Sequence, residues 1–311
     1  MNSPISIVVP AYGDPELVLR TLVALQLELN ARGGIDEVVV VDDGGGTLAA
    51  RLAERFPKAR CVVRTTNGGF ARALTSGIEV AKHELVLALN SDVLVRVGAL
   101  APLVEALEDP SVFAAVPRVL LGGDERRVES WVEFACEDGR VRFDQPSLTR
   151  RARAPRRDVD VAFPVGGACL FRKRDFLELG GFDPRFEPFY FEDADLGWRA
   201  WRSGKRTRLV VESSVEHRHR GTIGKVASER LVRAAIERNT WLFQWKHLAA
   251  SELAAHVAAL ESEALDAWLA EDRERLEWLA LALERAEAAL AAPRPAEPFA
   301  RTLERLAAPP H

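Results

Sequence analysis

Cysteine is scarce in this sequence, and no cysteine stands in a metal-binding spacing. The 311 residues contain three, Cys61, Cys136 and Cys169, which lie far apart without a CxxC pair. This arrangement argues against a zinc cluster and against a disulfide framework, and it favours a reducing compartment.

Long hydrophobic runs are missing as well. A helix that spans a bilayer takes about 20 consecutive apolar residues, and no uninterrupted run in the chain reaches that length. The opening residues, MNSPISIVVPAY, contain neither a basic stretch nor a cleavage site, so they predict no signal peptide. We therefore expect a cytoplasmic protein without a transmembrane segment.

An excess of positive charge is also absent. The formal net charge is −4 with 28% charged residues, so no overall basic field points to nucleic acid as a partner. An anionic substrate must then be held by local groups. The length suits one large domain, or one domain with an appendage.

Short β-branched runs alternate with amphipathic stretches over the first 120 residues. The buried-strand pattern is found at Ile5–Pro10, Glu37–Val41, Arg60–Arg64, Glu84–Leu89 and near Val112–Val116. The helix pattern is found at Pro15–Leu29, Thr47–Phe56, Ala71–Lys82 and Gly98–Leu107. This alternation predicts an α/β fold, in which a mostly parallel sheet carries helices on both faces.

The pattern loosens after residue 120, and the chain turns helical after about residue 225. Further strands are predicted at Glu129–Phe143, at Val159–Phe171 through a Gly166-Gly167 break, and at Thr207–Val211. Short helices are predicted at Asp175–Leu179 and Ala194–Ser203, with an arginine-rich loop at Leu148–Asp158. We expect an approximate domain boundary near residue 225.

Polar clusters follow four of the predicted strands. They are Tyr12–Asp14, Asp42–Gly46, Thr65–Phe70 and Asn90–Asp92. In parallel sheets of this class, ligands bind beyond the carboxyl ends of the strands. The dinucleotide signature GxGxxG is missing after the first strand, where the sequence is PAYGDPE, so a nicotinamide or flavin enzyme is disfavoured.

Each cluster has a functional and a structural interpretation. Asp42 and Asp43 suit hydrogen bonds from a base or ribose, or they form a glycine-rich turn with a helix cap. Asp92 suits a divalent cation that bridges phosphates, or it caps the next helix. The amides of Asn67–Phe70 suit a phosphate, or they form a β-turn.

The segment Gly180–Arg199, GGFDPRFEPFYFEDADLGWR, combines acids with aromatic residues. Aromatic neighbours would raise the pKa of Asp193 by desolvation, which suits a proton acceptor, whereas a helix N-terminus would lower it. The acids Glu192, Asp193 and Asp195 also fit a plain helix start. Asp195 lies four residues before Arg199, where an ion pair fits, so we predict a structural role for it.

Seven segments resemble, in order, the motifs of family 2 glycosyltransferases. They are IVVPAYGD, VVDDGG, NGGFARA, LNSDV, GGACLFRKRDF, the acidic segment above and VEHRHRGTIG. The resemblance covers about residues 4–245 and is closest to the rhamnosyltransferase-like branch. It implies a GT-A domain at residues 1–225, with a nucleotide-sugar half at about 1–120 and an acceptor half at about 121–225. A C-terminal helical extension follows at 226–311.

The family implies a nucleotide-diphospho-sugar donor, a Mg²⁺ or Mn²⁺ ion, and direct displacement with inversion at the anomeric carbon. Asp193 matches the catalytic base. Asp92 matches the last aspartate of the DxD-type metal motif, whose first position here is Asn90. His217 matches the later metal-ligand histidine, with His219 as the alternate. The remaining positions matched to the donor site are Pro10, Ala11, Tyr12, Asp42, Asp43, Asn67, Gly68, Gly69, Ser91 and Glu192.

The expected function is transfer of a sugar from a UDP- or dTDP-type donor to a carbohydrate or lipid-linked acceptor, in bacterial surface polysaccharide or glycoconjugate synthesis. The alternative is a non-catalytic nucleotide-sugar-binding GT-A module. A nucleotidyltransferase is disfavoured, because Ala11–Asp14 lacks the Gly-rich loop with Arg and Lys that this class needs. The C-terminal helices leave open a homodimer and peripheral contact with the inner face of a membrane.

Overall fold

A single nine-stranded sheet, with helices packed against it, forms the centre of the molecule. The computed structural model describes residues 3–46, 48–137, 140–217, 227–291 and 294–307. The strands are β1 Ile5–Ala11, β2 Glu37–Asp43, β3 Arg60–Arg64, β4 Leu85–Leu89, β5 Val93–Val95, β6 Val112–Leu121, β7 Glu133–Glu137, β8 Arg140–Asp144, β9 Val159–Val161, β10 Ala168–Arg172 and β11 Arg206–His217.

The helices before residue 218 lie between these strands. They are α1 Pro15–Ala31, α2 Leu48–Arg55, α3 Gly69–Val80, α4 Leu100–Ala106, α5 Pro146–Thr149, α6 Lys173–Glu178 and α7 Glu192–Arg202. The later helices are α8 Glu229–His247, α9 Leu253–Leu269, α10 Arg273–Leu283, α11 Ala286–Leu290 and α12 Phe299–Ala307. None of the helices in the described ranges is both long and apolar enough to cross a membrane.

The strand order is β3-β2-β1-β4-β10-β6-β11-β5, and β9 pairs with the first half of β11. Strands β1, β2, β3, β4, β6 and β11 run in one direction, whereas β5, β9 and β10 run against them. Strand β1 is buried at every residue except Pro10, as a central strand covered on both faces should be. The predicted α/β class and mostly parallel sheet are confirmed.

Two apolar clusters cover the two faces of the sheet, and a third joins the later helices to it. Helices α1, α2 and α4 pack on one face, and α3, α6 and α7 pack on the other. Helix α7 presents Leu196 and Ala200 to the sheet, and it presents Trp198 to the C-terminal helices. The Trp198 ring stacks on Phe299 of α12 with centroids 3.6 Å apart. The helices after residue 226 therefore share a core with α7.

Three expectations from the sequence need correction. Val159–Phe171 is two strands rather than one, because β9 pairs with β11 while β10 inserts between β4 and β6. Glu129–Phe143 contains a separate hairpin, β7-β8. Helix α7 begins at Glu192 instead of Ala194, which places Glu192 and Asp193 in its first turn.

Candidate active site

The sheet topology brings the end of β4 next to the end of β11. Strand β5 follows Asn90–Asp92 directly and pairs antiparallel with the last residues of β11, with Val93 opposite His217. The carbonyl of Ser91 is held by the Thr21 hydroxyl of α1 at 2.8 Å. Asp92 and His217, which are far apart in the sequence, therefore become neighbours.

Asp92, His217 and Glu129 form one cluster of ionisable side chains. The Nε2 of His217 lies 3.6 Å from Oδ1 of Asp92, and its Nδ1 lies 2.5 Å from Oε2 of Glu129. Burial lowers the pKa of His217, but the hydrogen bonds and charges of Asp92 and Glu129 outweigh it and raise the pKa to about 9. Glu129 was not predicted, because it lies in a sequence segment without any recognisable motif.

These residues fit a divalent cation that displaces the Nε2 proton of His217, because only the neutral imidazole coordinates a metal. A carboxylate on one ring nitrogen of a histidine orients the other nitrogen toward a metal, and Glu129 stands in that position. In the described ranges, no group of three or more His, Cys, Asp or Glu side chains could hold an ion. A cation at Asp92 and His217 would therefore take further ligands from phosphate oxygens and water. The alternate histidine, His219, lies outside the described residues.

The carboxylate of Asp193 is held by backbone amides. Its Oδ2 accepts from the Gly166 amide at 3.1 Å, and its Oδ1 accepts from the Ala194 amide at 2.8 Å. Burial nevertheless raises the pKa of Asp193, and these amide hydrogen bonds only oppose the rise. Burial, followed by the charge of Asp193, also raises the pKa of Glu192. Desolvation therefore outweighs the helix N-terminus at this pair.

The loop Gly166-Gly167 joins Asp193 to the end of β4. Gly166 donates to Asp193, and the Gly167 carbonyl accepts from the Asn90 amide at 2.8 Å. A Cβ at Gly166 would lie 3.1 Å from the Phe70 ring, and one at Gly167 would lie 2.9 Å from Nδ2 of Asn90. The two glycines leave room for this approach. The Gly-Gly doublet was visible in the sequence, where it indicated an interrupted strand and began the matched segment GGACLFRKRDF, but its contacts with Asp193 and Asn90 were not predicted.

Asp42 and Asp43 are both engaged within the chain. Asp42 accepts from the amides of Gly45 at 3.2 Å and Leu48 at 3.1 Å, so it holds the turn that leads into α2. Asp43 accepts from Nε of Arg64 at 2.7 Å. Both carboxylates are buried. Asp42 therefore has the turn and cap contacts that its structural interpretation predicts.

The prediction for the Asn67–Phe70 amides needs revision. The amides of Gly68 and Gly69 donate to Asp43, at 3.1 Å and 2.9 Å. The Asn67 side chain accepts from Gly69 as well, at 2.9 Å. A carboxylate of the chain thus occupies two of the four amides that we expected to hold a phosphate, because it supplies the same negative charge. The turn positions Asp43 and the start of α3.

The remaining predicted residues lie at the end of β1. Ala11 is buried in the core, Pro10 is partly exposed, and Tyr12 is 38% exposed beyond the strand. Only the Tyr12 side chain therefore offers a broad surface to a ligand here.

The carboxylate of Asp195 is engaged by two cations and a neutral histidine. It pairs with Arg199 at 2.7 Å, as predicted, and it also contacts Lys246 and His247 of α8 at 2.5 Å and 2.7 Å. Burial alone would raise the pKa of Asp195, but the His247 hydrogen bond and the charges of Arg199 and Lys246 hold it well below its usual range. This carboxylate joins α7 to α8.

Comparison with known proteins gives one family and several relatives. The family model described as "Glycosyl transferase family 2" matches residues 6–180. Human polypeptide N-acetylgalactosaminyltransferase 16 is 22% identical over 230 residues, which are 68% of this chain and 39% of that protein. The pre-mycofactocin glycosyltransferase of Mycobacterium tuberculosis (strain ATCC 25618 / H37Rv) is 28% identical over 188 residues, which are 59% of this chain and 37% of that protein. The chain spans less than half the length of these relatives.

Two solved structures are similar in fold. A crystal structure of GalNAc-T7 with UDP, GalNAc and Mn²⁺ matches with a TM-score of 0.55 and 19% identity, over 76% of this chain and 48% of that one. The mannosyltransferase PcManGT from Pyrobaculum calidifontis, in complex with GDP-Man and Mn²⁺, matches with a TM-score of 0.53 and 20% identity, over 91% of this chain and 86% of that one. At these identities the likeness shows the GT-A fold alone.

Proposed function

Because this chain belongs to glycosyl transferase family 2, we propose that it transfers a sugar from a nucleotide-diphospho-sugar to an acceptor hydroxyl, with inversion at the anomeric carbon. The observation that carries this proposal is the Gly166-Gly167 loop. It connects a carboxylate suited to accept a proton, Asp193, with the strand end that presents Asn90 and Asp92. A base and a donor site are needed together for such a transfer.

Asp193 is the proposed base. It takes the proton of the acceptor hydroxyl while that oxygen bonds to the anomeric carbon and the bond from this carbon to the diphosphate oxygen breaks. A raised pKa suits this task, and a positioned base contributes about 10²–10⁴-fold to the rate.

Glu192 is proposed to line the site and to hold a proton beside Asp193. Adjacent buried carboxylates do not ionise equally, because each charge opposes the other. Asp193 accepts hydrogen bonds from the Gly166 and Ala194 amides, which favour its charged form. Glu192 is 8% exposed and is raised in pKa first by burial and then by the charge of Asp193. We therefore propose Asp193, whose charged form these amides favour, as the member that accepts the proton.

A Mg²⁺ or Mn²⁺ ion is proposed at Asp92 and His217. When bound there, it would neutralise charge that develops on the leaving diphosphate. Glu129 holds the ring of His217 from the other side. Both similar solved structures contain Mn²⁺, which supports a divalent metal in this chain.

The nucleotide is proposed to bind along the ends of β1, β2 and β4. Tyr12 would cover the base together with Pro10 and Ala11, and the Asp42-Asp43 strand end would face the base or ribose. Asn67, Gly68 and Gly69 would support Asp43 rather than contact a phosphate. Asn90 and Ser91 would lie beside the diphosphate.

The donor is proposed to be a UDP- or dTDP-sugar, and the acceptor a carbohydrate or lipid-linked molecule of bacterial surface polysaccharide or glycoconjugate synthesis. The solved relatives contain UDP in one case and GDP-mannose in the other, so the test must include both nucleotides. The rhamnosyltransferase-like branch, a cytoplasmic location at the inner face of a membrane and a homodimer stay predictions from the sequence.

The test is donor turnover with a panel of UDP-, dTDP- and GDP-sugars, with Mn²⁺, Mg²⁺ or chelator present. Transfer or metal-stimulated hydrolysis of a donor supports the proposal. The anomeric proton coupling of the product, measured by NMR, distinguishes inversion from retention. Tight nucleotide binding in calorimetry without turnover of any donor would favour the alternative, a non-catalytic binding module.

A further inference from the structure

Two residues in left-handed backbone conformation stand directly before the proposed base. Tyr190 has φ 68° and Phe191 has φ 75°, and Phe191 is the N-cap of α7. Residues with a Cβ avoid this region because the Cβ crowds the following carbonyl. Two such residues in sequence persist only where the surrounding structure holds them, and such places cluster at functional sites.

The side chain of Asn239, on α8, holds this turn by hydrogen bonds to its carbonyl groups. Its side chain is fully buried. Its Nδ2 donates to the carbonyls of Phe186 at 2.8 Å, Phe189 at 3.2 Å and Tyr190 at 2.8 Å. Its Oδ1 accepts from Nε of Arg238 at 3.0 Å, which fixes the orientation of the amide. No other residue type of this size offers two N–H donors and one acceptor in this arrangement.

Helix α8 also contacts the residues that follow and precede this turn. Lys246 and His247, two turns further along α8, both contact Asp195 in the first turn of α7. Arg238 donates to the Glu187 carbonyl at 2.6 Å. Helix α8 thus contacts the chain both before and after Glu192-Asp193.

We propose that Asn239 is a positioning residue, which fixes the left-handed turn at Tyr190-Phe191 and through it the direction of the Asp193 carboxylate. The proposal rests on the proposed function, in which Asp193 is the base. It also gives α8, beyond the residues matched by the family model, a part in the activity.

The first variant is Asn239→Asp, which keeps the shape of the side chain but turns an oxygen instead of an N–H group toward three carbonyls. A displacement of about 1 Å at a reacting group costs about 10²-fold in rate. We therefore expect kcat for transfer to fall about 10²-fold, with the donor KM and the nucleotide Kd changed by less than about threefold. A folded variant with wild-type kcat would overturn the proposal.

A double-mutant cycle separates positioning from general damage. If Asn239 acts through Asp193, Asn239→Asp should cost less than about threefold in the Asp193→Asn background, because groups that act as a unit are not additive. An equal loss in both backgrounds would overturn the proposal. Asn239→Ser, which keeps one donor, repeats the cycle if the aspartate variant fails to fold, and it should lower kcat at least about tenfold.

Leu242→Ala is the control on the same helix. Leu242 is 1% exposed in the core shared with α7, and no side-chain hydrogen bond is lost in the change. It should lower Tm but leave the kcat of the folded protein within about twofold. A wild-type protein without transfer would reject the proposed function. Wild-type transfer with an unaffected Asn239 variant would reject the positioning role alone.

Discussion

Gly167→Ala should damage catalysis more than it damages the fold. A Cβ at this position would stand 2.9 Å from Nδ2 of Asn90 and 3.4 Å from its Cγ. Non-bonded carbon atoms prefer about 3.5–4.0 Å, so the amide must move by roughly 0.5–1 Å. The atoms in the way belong to the Asn90 side chain alone, which can rotate aside.

The magnitude follows from this geometry. Overpacking costs about 1–3 kcal/mol in free energy of unfolding, and we expect the lower end because a side-chain terminus gives way. A misplacement of about 1 Å in an active site costs about 10²-fold. We therefore expect kcat/KM to fall about 10–100-fold, which is about 1.4–2.7 kcal/mol of lost transition-state stabilisation.

The assay combines transfer kinetics with urea unfolding. Gly98→Ala is the matched control, since Gly98 has φ +87° and nothing within 4 Å of an added Cβ. Left-handed strain should cost this control about 1–2 kcal/mol in stability with little change in kcat/KM. Wild-type kcat/KM in folded Gly167→Ala, or an equal loss of activity in both variants, would refute this prediction.

Two other predictions concern buried groups. Glu129→Gln should weaken Mn²⁺ binding about 10–100-fold, because the partner of His217 Nδ1 is changed. Calorimetry with nucleotide present measures the Mn²⁺ affinity. An unchanged affinity would contradict the role of Glu129 in orienting His217. Burial lowers the pKa of His247 to about 4 despite Asp195. The unfolded chain therefore binds the extra proton, so stability falls as pH drops from about 6.5 to about 4, by at most about 3 kcal/mol. Measured by urea unfolding across this range, the free energy of unfolding should depend less on pH in His247→Gln than in the wild type. An equal dependence would contradict the assignment of this effect to His247.

The sequence predicted those strands whose residues are buried in a continuous run. Strands β1, β2 and β4 are apolar runs because neighbouring strands and helices cover both faces, and this makes them visible in the sequence. Strand β5 has three residues and was missed, since so short a run has no periodicity. The separation of Val159–Phe171 into β9 and β10 depends on pairing with distant strands.

Most residues proposed for the site were named from the sequence, but the contacts among them and the part of Glu129 were not. Asp92 and His217 meet because β5 pairs with β11, and that pairing has no local signal. The Asp43 carboxylate on the Gly68 and Gly69 amides could not be foreseen, because a turn that binds a phosphate and one that binds a carboxylate need the same residues. Glu129 depends wholly on tertiary structure.

The most direct test of the account is Asp193→Asn. With a donor that the wild type turns over, we predict a fall in kcat of about 10²–10⁴-fold. The Kd of the nucleotide should stay within about twofold, since Asp193 acts on the acceptor proton. Asp266→Asn, an exposed change on α9, is the control and should keep wild-type kcat. A folded Asp193→Asn protein with unchanged turnover would contradict the assignment of the base.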